Sequence, residues 1–206
     1  MALKKGCLIV IEGIDGAGKS TQVRLLAKRL KKMGLPVAVF REPTRGRWGR
    51  KIRAMAKAET VLNPQEELEL FLLDREDNVR RHIRPALAAG KIVILDRYYF
   101  STMAYQGARG IDPQIIRRRN EAFAPRPEAV FILHMAAAKG LARIHHRRKK
   151  DILFEQEGYL EKVERIFQGL KGRGIFHLEA EQPKEKIHQA IFSRVKIILR
   201  KKGLLP

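Results

Sequence analysis

Apolar residues along this chain fall into short unbroken runs separated by longer stretches where they recur every three or four positions. Runs bounded by turn residues read as buried strands, and the three-to-four spacing reads as amphipathic helix. Strands are predicted over 7–12, 36–40, 91–95, 129–135 and 174–179. A helix is predicted over 19–33, where Val23, Leu26, Leu30 and Met33 share one face and Gly34 and Pro36 supply the stop. A longer helix is predicted over 65–89, opened by Pro64, closed by Gly90, and bent or split by Pro85. Further helices are predicted over 112–122, 139–148, 158–171 and 183–202. Five apolar strands alternating with helices predict an α/β fold, a five-stranded parallel sheet flanked by helices. No repeat, low-complexity tract or linker divides residues 1–206, so one domain is expected.

Composition narrows this little, but charge changes it. An apolar content of 45% suits a globular chain. No apolar run approaches the ~20 residues of a membrane helix, and the "CLIVI" run after Lys4 and Lys5 is too short for a secretory signal. No membrane partner is expected. The single cysteine, Cys7, excludes an intramolecular disulfide and fits a reducing cytoplasm. Forty-three Lys and Arg against 22 Asp and Glu give a net charge of +21. Such a surface attracts polyanions and phosphorylated molecules; the plainer reading, preferred for most of these charges, is a solvated basic surface.

In parallel sheets of this kind, ligands bind beyond the carboxyl ends of the strands. The first strand runs into Gly13-Ile14-Asp15-Gly16-Ala17-Gly18-Lys19-Ser20-Thr21, which carries G-x-x-x-x-G-K-[ST] between a strand and a helix. Glycines there let consecutive N–H groups curl around a phosphate, and the helix start adds its positive dipole end. Lys19 then reaches the outer phosphates and Ser20 holds Mg²⁺. This loop is read as binding a nucleoside triphosphate; it does not name the acceptor.

The second strand ends in "REPTRGRWGR", with Arg41, Arg45, Arg47 and Arg50 suited to phosphate or merely solvated. After the third strand, Asp96 stands where a carboxylate orients Mg²⁺, and Arg97 follows; the alternative is a structural ion pair. Phe71 and Arg75 lie one turn apart on the face that also carries Leu68, Leu72 and Val79. They either stack on a base and bond its edge, or Arg75 pairs with an acid such as Asp74 or Glu76. Six of residues 139–150 are Lys or Arg, with Arg143 and Arg147 four apart, which suits either a basic segment closing on phosphates or a solvated helix. His145 and His146 lack further ligands at metal spacing, so zinc is not expected.

"EGIDGAGKSTQ", "REP", "LFLLDR", "DRYYFSTMAYQG" and "GLARI…E" occur in an order and spacing that resembles thymidylate kinase, the dTMP kinase among P-loop nucleoside monophosphate kinases. The resemblance spans about 7–200. It implies a P-loop kinase fold with a short helical lid at about 139–155, phosphorylation of dTMP by ATP with Mg²⁺, and a homodimer. It implies that residues 13–21 hold ATP and that Asp15 lies near the metal and the sugar hydroxyl. It further implies that Arg97, with Arg41 or Arg45, holds the acceptor phosphate, and that Phe71 stacks on thymine while Arg75 reaches its carbonyl edge. Ser101 and Gln106 would contact the base, Tyr105 would lie under the deoxyribose, and Arg143 with Arg147 or Arg148 would form the lid charges. Position 16 is glycine where some members carry arginine, like members whose catalytic arginine comes from the lid. "EAEQP", 179–183, occupies the place of the loop against adenine.

This sequence departs from the pattern in reading "REPTRG" for "REPGGT", Leu133-His134-Met135 for Leu-Asp-Val, and Asp151-Ile152-Leu153-Phe154-Glu155 for Asp-Arg-x-Glu. These leave open which arginines act and whether dUMP or another pyrimidine nucleotide serves instead. A nucleic-acid-associated ATP-binding protein is the rival of another class.

Overall fold

The computed structural model describes residues 6–57, 63–144 and 150–205. The chain runs β1 (Cys7–Gly13), α1 (Lys19–Lys32), β2 (Val37–Arg41), α2 (Arg47–Lys57) and α3 (Pro64–Asn78). A π-helical turn, Val79–Ile83, leads into α4 (Arg84–Ala88) and β3 (Ile92–Asp96), then α5 (Tyr99–Gly107) and α6 (Pro113–Glu121). β4 (Ala129–His134), α7 (Ala137–Ile144), α8 (Lys150–Gly169), β5 (Ile175–Glu179) and α9 (Lys184–Lys201) follow.

All five strands are parallel, in the order β2-β3-β1-β4-β5. The three central strands are buried along their whole length, which explains their unbroken apolar runs. The edge strands β2 and β5 are only partly covered. Register places Ile11 beside Asp96 and Gly13 beside Leu133, so the loop after β1 and the turn after β3 emerge at the same end of the sheet. Among the described residues no helix is long and apolar enough to cross a membrane.

The five predicted strands and the α/β class are borne out, with shifts at boundaries. Met33 lies just past the end of α1 and is 40% exposed, so it leaves the apolar face assigned to it. The interruption predicted at Pro85 takes the form of a π turn over Val79–Ile83 that separates α3 from α4, just ahead of Pro85. Pro85 lacks the N–H that would bond to Arg81, and the chain widens into the π turn, where the Arg84 N–H reaches back to Val79. α8 starts at Lys150 rather than 158, because Gly158 costs only about 1 kcal/mol within a packed helix and does not stop it. The predicted end of the preceding helix at 148 lies outside the described residues.

Two helices, α2 and α5, lie outside the predicted set. α5 is buried at Tyr99, Phe100, Ser101, Thr102, Met103, Ala104 and Gln106, so it has no polar face. α2 has a short apolar face, Trp48, Ile52 and Met55 at spacings of four and three, set among the exposed Arg47, Arg50, Lys51 and Arg53 that obscure it.

Candidate active site

The loop between β1 and α1 keeps its shape through backbone that only glycine enters freely. Gly16 has φ of 84°, and a Cβ there would lie 2.4 Å from the Gly140 carbonyl oxygen of α7. Ile14 is buried, and its carbonyl accepts from the Ala17 N–H and, at 2.7 Å, from Lys19 Nζ. Lys19 itself is 6% exposed and 3.9 Å from Asp15 Oδ1. Burial, aided by the nearby Arg97 charge, pulls its pKa down to about 8. Thr21 donates its backbone N–H to Gly18 and so closes the first turn of α1. From α7, Arg143 donates to the Gly16 carbonyl at 3.2 Å; Arg147 and Arg148 lie outside the described residues.

At the end of β3 the turn brings two side chains to this loop. Ser20 Oγ donates to Asp96 Oδ2 at 2.5 Å. Arg97, with φ of 72°, turns its guanidinium to Ser101 Oγ (2.9 Å), Asp15 Oδ1 (2.6 Å) and the Tyr105 hydroxyl (3.3 Å). Burial opposes its charge, but Tyr105, Asp15 and Glu12 outweigh that and raise its pKa. In return Arg97 and Lys19 overcome burial and hold Asp15 below the usual carboxylate range.

A cavity of about 800 Å³ opens beside Asp15 and Arg97. Every residue assigned above to the acceptor lines it: Arg41, Arg45, Phe71, Arg75, Arg97, Ser101, Tyr105 and Gln106. Arg47 does not join them; it stacks over Trp48. Arg75 is 2% exposed and bonds Glu42 Oε2 (2.8 Å), Asn120 Oδ1 (2.5 Å) and Thr102 Oγ1 (3.0 Å). Its partner acid is thus Glu42, while Asp74 instead accepts from the Thr44 N–H and hydroxyl. Gln106 is 2% exposed, and its Oε1 has no partner.

Residues 11–191 match the family model described as Thymidylate kinase. The chain belongs to the thymidylate kinase family. It is similar to the thymidylate kinase of Akkermansia muciniphila, with 47% identity over 89% of this chain and 88% of that one. It is also similar to the thymidylate kinase of Desulfotalea psychrophila, 44% identical over 97% of this chain and 99% of the relative. A probable thymidylate kinase of Archaeoglobus fulgidus is 42% identical over 89% of this chain and 92% of its own length.

The family implies a metal, and the residues of this chain fit one. Asp96 is 3% exposed, and its second oxygen, Oδ1, is buried without a partner beside the Ser20 pair. One hydroxyl and one carboxylate match the few protein ligands that Mg²⁺ takes when phosphates and water supply the rest. Among the described residues no cluster of three or more His, Cys, Asp or Glu is arranged to hold a metal ion.

Sequence reasoning missed several groups around this cavity. Arg53 and Tyr159 also line the cavity; Arg53 bonds the Pro43 and Thr44 carbonyls, and Tyr159 bonds the Tyr105 carbonyl at 2.8 Å. Glu12, wholly buried, was passed over as part of a strand; an acid inside an apolar run was the available signal. Burial lifts its pKa to about 7.

Proposed function

We propose that this chain transfers the γ-phosphoryl group of ATP to the 5′-phosphate of dTMP, giving ADP and dTDP. One observation carries this reading: the Arg97 guanidinium bonds Asp15 of the phosphate loop while facing a nucleotide-sized cavity. A group so placed touches both halves of a phosphoryl transfer. The names of the relatives supply the acceptor's identity.

In this reading residues 13–21 wrap the ATP phosphates with backbone N–H groups, and Lys19 swings from Ile14 to the outer phosphates. Ser20 and Asp96 hold Mg²⁺, which when bound neutralises charge on the phosphate oxygens. Arg97, with Arg41 or Arg45, fixes the dTMP phosphate. Phe71 stacks on thymine and Arg75 donates to its carbonyl edge. The free Oε1 of Gln106 accepts from the ring N–H. Ser101 stands beside the base, and Tyr105 lies beneath the sugar and disfavours a 2′-hydroxyl. Arg143 and Arg147, on a lid at about 139–155, bring charge to the transferring group.

An oxygen of the acceptor phosphate attacks the γ-phosphorus in line as the bond to the β-phosphate oxygen breaks. A phosphate monoester loses its second proton with a pKa of about 6, so no strong base is needed near neutral pH. Positioning and charge neutralisation supply the catalysis. We also infer a homodimer and a cytoplasmic location, both on family grounds. ADP release measured across dTMP, dUMP, dCMP, AMP and thymidine tests the activity. Fastest turnover with dTMP is expected; faster turnover with another acceptor, or none with any, overturns it.

A further inference from the structure

Glu12 has no part in the roles above, yet it lies at their centre. It is the penultimate residue of β1, immediately before the phosphate loop, and it is 0% exposed. A carboxylate placed there is unfavourable unless its oxygens are well used. They are used entirely on the turn that follows β3. Oε1 accepts from the Tyr98 N–H at 2.7 Å and the Ser101 N–H at 3.2 Å. Oε2 accepts from the Ser101 hydroxyl at 2.5 Å.

These bonds do two things. Tyr98 is the N-cap of α5 and makes no side-chain cap bond of its own, so Glu12 caps that helix from another element. They also fix the direction of the Ser101 hydroxyl. With its hydrogen committed to Glu12, Ser101 Oγ is left as an acceptor, and Arg97 Nη1 donates to it at 2.9 Å. The other end of the same guanidinium donates to Asp15 at 2.6 Å. Arg97 is therefore held between two acids, directly by Asp15 within the loop and through a serine by Glu12 just before it. Its left-handed backbone is unfavourable for a side-chain-bearing residue and is retained by the Arg97 N–H bond to Ile11.

We propose that Glu12 is a positioning residue for the acceptor phosphate: through Ser101 it aims the Arg97 guanidinium before the acceptor arrives. A preset fork binds phosphate without first losing rotamer freedom. This inference rests on the proposed role of Arg97, and it predicts a particular division of kinetic effects. Glu12→Gln keeps the shape but turns a hydrogen-bond acceptor facing Ser101 into a donor.

The test compares Glu12→Gln, Ser101→Ala and the double variant by ADP release, and follows exchange of the Arg97 guanidinium protons by NMR with no nucleotide present. Glu12→Gln is expected to raise the dTMP KM about tenfold and leave the ATP KM within about twofold. The double variant is expected to be no worse than Glu12→Gln, because both changes cut one chain. Arg97 proton exchange is expected to quicken in each variant. Additive losses, equal losses for both substrates, or unchanged Arg97 exchange would overturn the proposal. Should Glu12→Gln not fold, Ser101→Ala with unchanged Arg97 exchange overturns it alone. The exchange measurement needs no substrate, so it separates this inference from the identity of the acceptor.

Discussion

Lys19 rests with its ammonium against the Ile14 carbonyl, inside the loop it serves. Burial and the Arg97 charge set its pKa near 8, well below an ordinary lysine, so the nucleotide-free protein loses this charge as pH rises through about 8. A bound triphosphate favours the charged form. ATP binding measured by calorimetry should therefore take up a proton and weaken above about pH 8, by up to about tenfold per pH unit. Lys19→Met should bind ATP weakly with no such step, and its turnover should fall by about 10²-fold or more. Arg75 gives a contrasting expectation. Its charge is matched by Glu42, so Arg75→Ala leaves a buried carboxylate with no cation and only Asn78 as a side-chain donor, and should lower unfolding free energy in urea by about 3–5 kcal/mol, besides weakening dTMP. A solvated arginine would lose almost nothing. The sequence marked Arg75 as out of place on an apolar stripe. It did not reveal Glu42, 33 positions earlier, because that pairing exists only once β2 lies across from α3.

Between elements, the contact that matters most to the phosphate loop is made by α7. Gly140 approaches so closely that an added Cβ would lie 2.7 Å from the Asp15 carbonyl oxygen. Alanine is better than glycine within a helix by about 1 kcal/mol, so a Gly140→Ala chain gains in propensity what it loses in fit. Its unfolding midpoint should stay near that of the parent. Its kcat should nonetheless fall by about tenfold or more, since moving α7 displaces both Arg143 and the loop beneath it. Stopped-flow phosphoryl transfer set beside thermal unfolding checks the pair. The same contact explains glycine at position 16, where any side chain would meet the Gly140 carbonyl. Loop and strand were legible because their patterns are local. α5, which carries Ser101, Tyr105 and Gln106, was not, because a helix covered on every side lacks the alternation that betrays an exposed one.

Across the whole molecule, α8, β4 and β5 are joined by a hydrogen-bonded chain, buried at His134 and Glu164 and exposed at His177, at the place where this sequence reads Leu133-His134-Met135. His177 Nε2 lies 2.9 Å from the Leu170 carbonyl, which can only accept, so that nitrogen carries a hydrogen. In a neutral ring the other nitrogen, Nδ1, then accepts from His134 Nε2 at 2.6 Å. That leaves His134 Nδ1 at 2.5 Å from Glu164 Oε1, a distance at which two bare acceptors repel. One hydrogen lies between them and ties α8 to β4. The strand order that makes this possible, with β5 outermost beside β4, could not be read from the residues in sequence. Glu164→Ala removes the acceptor and leaves that proton unshared in a buried site. It should lower unfolding free energy by about 1–3 kcal/mol in urea, and the KM values for ATP and dTMP should hold within about twofold, because none of His134, Glu164 and His177 lines the cavity. ¹⁵N spectra should show the protonated Nε2 of His177 in the parent protein. An unchanged stability together with a raised dTMP KM would mean that this chain serves the cavity rather than the packing of α8 on β4 and β5.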